Sequence, residues 1–250
     1  MQFFGLFWFL VIFLPLVVLQ RLLHREIQAV LLILTRSPQL TIGLFSVLFF
    51  PGVFLHELSH LLMAKMLGVP TQGFSLIPHV VGGGRLQMGY VETQQTDIVR
   101  DSLIGLAPLI TGTLLIAYAG LNRLQLGLLL GTLTSGHIDL FWAGLRQLPA
   151  AKDFYLWFYL AFTVSSTMMP SESDRHAWLP LGLWTAVLLA IGLLAGAGPW
   201  MLQNIAPALN DFLDALATLF GLSLGLHIAL LLPTLLAHQA AAKVTGLDVR

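Results

Sequence analysis

Residues Leu40 to Leu67, LTIGLFSVLFFPGVFLHELSHLLMAKML, form one long apolar stretch whose second half carries His56-Glu57-Leu58-Ser59-His60. On an α-helix a four-residue step turns through about 400° and rises about 6 Å, so the two imidazoles sit one above the other on one face, where both can bind one metal ion. Glu57 lies beside them. The rest of the stretch reads as a membrane-spanning helix. An acidic side chain such as Asp costs about 2.5 to 3.5 kcal/mol at the centre of such a helix on the insertion scale, so ionisable groups there mark functional sites by default.

A five-residue pattern with three fixed letters also arises by chance in soluble helices. Two histidines and a carboxylate inside an apolar span are, however, a poor choice for packing alone. The HExxH spacing is that of zinc proteases: two neutral imidazoles bind the metal, and the carboxylate between them takes a proton from the attacking water and passes it to the leaving amine. His56 and His60 are therefore the expected zinc ligands, and Glu57 the expected catalytic base.

The whole chain supports a membrane setting. Of its 250 residues 57% are hydrophobic and only 10% charged, with a mean hydropathy of +0.84, too little polar surface to coat a soluble globule. The formal net charge is +0 with no basic run, which gives no footprint for nucleic acid. There is no Cys, which excludes disulfides and thiolate zinc ligands. Apolar stretches at Phe3–Leu19, Leu40–Leu67, Leu103–Leu121, Leu124–Leu145, Phe154–Met169, Trp178–Ala195 and Phe212–Ala237 suggest about seven crossings of a hydrocarbon core about 30 Å thick. The first lacks a basic start and a small-residue cleavage site and reads as a retained helix. Ile27–Leu34 is too short to span alone, and Pro199–Asp214 reads as an interfacial loop or short amphipathic helix. The expected fold is mainly α, one polytopic integral membrane domain over residues 1–250 with the bilayer as its solvent. Its expected location is the plasma membrane of a prokaryote.

Gly68 to about Asp97 is the one long non-helical stretch, broken by Pro70, Gly73, Pro78 and Gly82-Gly83-Gly84. Arg85, Gln87 and Gly89 alternate with Leu86, Met88 and Tyr90, and Phe74–Val81 offers a partner across the glycines, which predicts a β-hairpin. Such a hairpin either simply joins two helices or presents an edge to an extended peptide.

A catalytic zinc needs three protein ligands and one open position. His79, Glu92, His137, Asp139 and Asp174 compete for the third place. Asp174 follows Pro170 in a short polar loop and would lie in a first helical turn, although Ser171 and Asp174 also have capping-box spacing. Asp139 and His137 sit within the expected fourth span. By chemistry alone Asp174 and Asp139 are level.

The order of motifs resembles the site-2 protease family of intramembrane zinc metalloproteases. That family has an HExxH helix, a membrane-associated β element, a helix with a Gly-Pro element, and a loop with Asn-Pro before an Asp-Gly zinc ligand. Here His56-Glu57-Leu58-Ser59-His60 and the predicted hairpin precede Gly105-Leu106-Ala107-Pro108-Leu109-Ile110-Thr111-Gly112 and Ser166-Thr167-Met168-Met169-Pro170-Ser171-Glu172-Ser173-Asp174. The resemblance covers roughly residues 40 to 190, with additional helices at both ends, and implies Asp174 as third ligand. Thr111, Ser166 and Arg175 stand where the family usually has Asn, Asn and Gly. The resemblance implies a zinc endopeptidase acting on membrane-spanning or membrane-proximal protein substrates. Two other readings share the histidines: a membrane metal-binding or transport protein, and an inactive protease-like binder.

Overall fold

The computed structural model describes residues 4–81 and 85–247. Helix α1 (Phe4–Thr35) absorbs the Ile27–Leu34 run, and α2 (Pro38–Met66) carries the histidines. Ser37 caps α2, its Oγ accepting from Leu40 N at 3.4 Å, with Pro38 in the first turn, where a missing N–H costs nothing. Gly68 at φ +70° ends the helix, and Val69 N returns to Ala64 O at 2.8 Å. After the β segment come α3 (Ile98–Ala117), which runs into a π turn at Tyr118–Arg123, and then α4 (Leu126–Thr134) and α5 (Ile138–Gln147). Helices α6 (Phe154–Thr167), α7 (Trp178–Leu194), α8 (Gly198–Asn204) and α9 (Ala206–Thr245) complete the order.

The structure is mainly α, but it does not have seven spans. Among the described residues four helices, α1, α2, α3 with its π turn, and α9, are long and apolar enough to cross a membrane; a fifth is added if α7 and α8, bent by 117°, form one broken span. The expected fourth span fails because Gly136 adopts φ +77° and His137 N turns back to Thr132 O, which ends α4. The two pieces, of 9 and 10 residues, reach only about 15 Å each. His137 and Asp139 therefore lie at this break, both exposed, and not inside a span. Helix α6 has 14 residues, about 21 Å, too short to cross alone. The Pro199–Asp214 segment, expected as an interfacial loop or short amphipathic helix, holds the short helix α8 and the first turns of α9.

The β segment is a nested hairpin. Strands β1 (Thr71–Ser75) and β4 (Tyr90–Thr93) pair antiparallel with Ser75 opposite Tyr90, and inside them β2 (His79–Val81) pairs β3 (Arg85–Gln87) with His79 opposite Gln87. The ladder is interrupted at residues 76–78 and 88–89. The predicted glycine turn, Gly82-Gly83-Gly84, lies outside the described residues.

Many apolar side chains of α1, α7 and α9 are exposed, whereas Glu57, Ser59, His60, Ser166 and His227 are buried. That inversion of the soluble pattern suits a bilayer. Inside, Leu16, Ile116, Met168 and Phe220 form one cluster, and Leu23, Phe45, Phe49 and Phe162 another. Helix α1 packs along α9, and α2 packs on α3 and α6. Helices α1 and α9 approach closely at Gly5, where a Cβ would overlap the Asn210 carbonyl, the small-residue contact that lets membrane helices touch. Gly5→Val should lower the melting temperature in detergent by about 6 °C, from a loss of about 2 kcal/mol. Gly182→Ala, where a Cβ meets nothing within 4 Å, should not. An unchanged Gly5→Val transition would show that α1 and α9 are not packed this way.

Candidate metal centre

His56 and His60 face one another from successive turns of α2, their Nε2 atoms 3.2 Å apart. Each ring is fixed from behind. His56 Nδ1 donates to Thr167 O at 2.7 Å, and His60 Nδ1 donates to Ile104 O at 2.8 Å. A carbonyl only accepts, so both Nδ1 atoms carry hydrogen and both Nε2 lone pairs point into the gap. Two acceptors at that distance need a cation or a proton between them.

The sequence explains why these carbonyls are free. Thr167 ends α6, and a carbonyl in the last turn of a helix has no helical donor. Ile104 lies inside α3, where its partner would be the amide four residues on. That residue is Pro108, which has no N–H. The proline of the Gly-Leu-Ala-Pro element therefore releases the carbonyl that holds His60.

Asp174 closes the group. Its Oδ2 lies 3.5 Å from His56 Nε2 and its Oδ1 lies 3.3 Å from His60 Nε2. The expected first helical turn is not there: Asp174 sits in a turn ahead of α7, which begins at Trp178. Its capping contacts do form, with Ser171 N donating to Oδ2 at 2.6 Å and Asp174 N donating to Ser171 Oγ at 3.3 Å. Two glycines let the three elements meet. At Gly105 a Cβ would overlap the Asp174 carbonyl, and at Gly52 it would overlap Thr163 O and Thr167 Oγ1. Burial acts to raise the Asp174 carboxyl, but when protons take a metal ion's place on the two Nε2 atoms, hydrogen bonds and charge from His56 and His60 outweigh it and hold the group well below the usual carboxylate range. That depression stabilises the fold above the ordinary carboxyl value and is lost only as pH falls through the lowered one.

Among the described residues, His56, His60 and Asp174 are the one group able to hold a metal ion, with ligand atoms all within 4.8 Å of one another. The Nε2–Nε2 separation of 3.2 Å is close to the roughly 3.3 Å expected between two donors at 2.0–2.1 Å around a tetrahedral ion, and Asp174 brings one oxygen within 3.3 Å of His60 Nε2 and the other within 3.5 Å of His56 Nε2. Glu57 is buried beside the group and lines the same cavity of about 210 Å³. The other competitors among the described residues stand apart. Glu92 is exposed on β4, His137 and Asp139 are exposed at the α4–α5 break, and the His79 side chain lies outside the described residues. Sequence reading missed the two holding carbonyls and the His176–Asp101 pair, 2.6 Å apart at the cavity. The i−4 position of Pro108 was the available signal for the first carbonyl; none pointed to the others.

No protein family, curated protein or solved structure matches this chain.

His56→Ala, His60→Ala or Asp174→Ala should each abolish stoichiometric metal binding. Pro108→Ala restores an N–H that competes for Ile104 O, so metal affinity should fall about tenfold with the helix intact. A competition titration with a chelator measures it, and wild-type affinity would show that His60 is not oriented by that carbonyl.

Proposed function

We propose that the chain is a zinc-dependent endopeptidase that hydrolyses peptide bonds of membrane-spanning or membrane-proximal proteins, as its likeness to the site-2 protease family implies. The observation that carries the reading is the buried Glu57 beside a His-His-Asp group whose imidazoles are fixed by carbonyls of α3 and α6, with His56, Glu57 and His60 on a helix apolar enough to span. Two imidazoles and one carboxylate that leave an open position are a zinc hydrolase donor set. A zinc ion held there would polarise the scissile carbonyl and make water more acidic.

The chain's own groups do the remainder. Glu57 accepts a proton from the attacking water, whose oxygen bonds to the carbonyl carbon, and delivers that proton to the leaving nitrogen as the C–N bond breaks. Thr167 O and Ile104 O keep the rings in the tautomer that offers Nε2. A membrane helix hides its amides in internal hydrogen bonds, so a substrate has to unwind before attack. The nested hairpin beside the cavity, with Gln87, Gly89, Val91 and Thr93 along its wall, is placed to hold the unwound segment extended.

Purified full-length protein should contain about one zinc per chain; one iron instead would favour a different chemistry for the same donor set. Glu57→Gln should keep that zinc and lose cleavage of single-span peptides in vesicles by about 10²- to 10⁴-fold. Full turnover by Glu57→Gln would remove Glu57 from the mechanism.

A further inference from the structure

Three cavities follow one face of α2. The polar one of about 210 Å³ holds the metal group; a second of about 200 Å³ shares His56, Glu57 and Gly89 with it; a third of about 310 Å³ shares Val53 and Met88 with the second. The third lies between the first half of α2 and the interruption of the hairpin at residues 76–78 and 88. Gly43, Ser46, Phe50, Val53, Ile77 and Met88 are among its lining residues. It is apolar save for one group. Ser46 Oγ is buried and has no hydrogen-bond partner among the described residues, although a helical serine can usually bond back to the preceding turn.

We infer that this third cavity is a specificity pocket for a large apolar side chain of the substrate, two to five residues from the scissile bond. The inference rests on the protease reading above and adds to it where the substrate lies and what it must carry. From Phe50 and Val53 to Glu57 is four to seven helical residues, about 6 to 10 Å along α2. An extended peptide covers that distance in two to three residues, and covers the roughly 16 Å from the deeper Ser46 in about five. Gly89 sets the course between the cavities. A Cβ there would come within 2.8 Å of Glu57 Cγ and 3.0 Å of Ser75 O, so only a glycine keeps the hairpin this close to the catalytic carboxylate. A peptide fits the whole track because it brings an apolar side chain for the pocket, main-chain polar atoms for Ser46 Oγ, and a carbonyl for the metal group. A lipid acyl chain would fill the apolar part and satisfy neither polar site.

Gly43 supplies the test, because a Cβ there meets nothing within 4 Å and a larger side chain can enter the pocket without disturbing the helix. Wild-type protein and Gly43→Phe, both zinc-loaded and reconstituted in phosphatidylcholine vesicles, are given a library of single-span peptides randomised around the centre, and the products are sequenced by mass spectrometry. Wild type should prefer Leu, Met or Phe over Ala at one position two to five residues from the cut. Gly43→Phe should lower that preference at least about tenfold in kcat/KM, the worth of a few methylenes in a pocket, and Met88→Ala should shift it toward larger side chains. A preference that is absent, lies elsewhere, or is untouched by both variants overturns the pocket while leaving the protease intact. In a second arm, a photo-reactive amino acid in place of Phe50 in the Glu57→Gln protein should crosslink to the peptide; crosslinks to lipid alone overturn the pocket as well. If wild type cuts no membrane peptide although it holds zinc, the protease reading fails first and the pocket falls with it.

Discussion

Two imidazole N–H groups donated to backbone carbonyls are the contacts on which the site's geometry depends. Without them the rings of His56 and His60 could rotate freely about χ2, and their Nε2 atoms would not converge. In a bilayer an unpaired buried carbonyl is expensive, since there is no water to satisfy it. The fold therefore draws on carbonyls that a helix has already orphaned, one at the end of α6 and one behind a proline in α3. Each imidazole ties α2 to a different helix, so assembly of the bundle and orientation of the metal group become one event.

Behind this layer lies a second polar layer drawn from α1 and α9. Gln20 Nε2 donates to Ser166 O, Ser166 Oγ meets His227 Nε2 at 3.1 Å, and His227 Nδ1 donates to Ser223 O at 2.8 Å. Ser166 is the residue before Thr167, so these contacts fix the last turn of α6, whose carbonyl holds His56. Deeper along the same pair of helices Glu26 meets His238. Such groups inside apolar helices cost free energy unless satisfied, and here the contacts join helices that lipid alone gives no reason to associate. The terminal helices thus act on the metal group through α6 without touching it.

How much of this was legible in the sequence differs by feature. The His56–His60 pair followed from helical spacing, because both residues sit in one continuous helix and need no tertiary information. The hairpin followed from its alternation, though not its interruption, which is set by the approach of Gly89 to Glu57. The span count did not follow. Hydropathy sums apolar residues and ignores whether the backbone between them stays helical, so Leu124–Leu145 looked like one crossing although Thr134-Ser135-Gly136 carried the stop signal. Chemistry left Asp174 and Asp139 level, and only the resemblance separated them, because distance from the histidines is a property of the tertiary fold. Thr167 O was invisible for the same reason.

The capping and metal-facing roles of Asp174, opposed on paper, are compatible in one carboxylate. An ionised carboxylate offers about four lone-pair sites on two oxygens. One site on Oδ2 takes the Ser171 amide, while both oxygens still face an Nε2. The amide favours the ionised form, as any donor to a carboxylate does, and it fixes the rotamer, so the charge arrives at the histidines already oriented. The short turn after Pro170 therefore does what a helix start would otherwise do. It presents an anion at the depth of the metal group without needing a helix there, which is why Asp174 can lie four residues ahead of α7 and still reach α2.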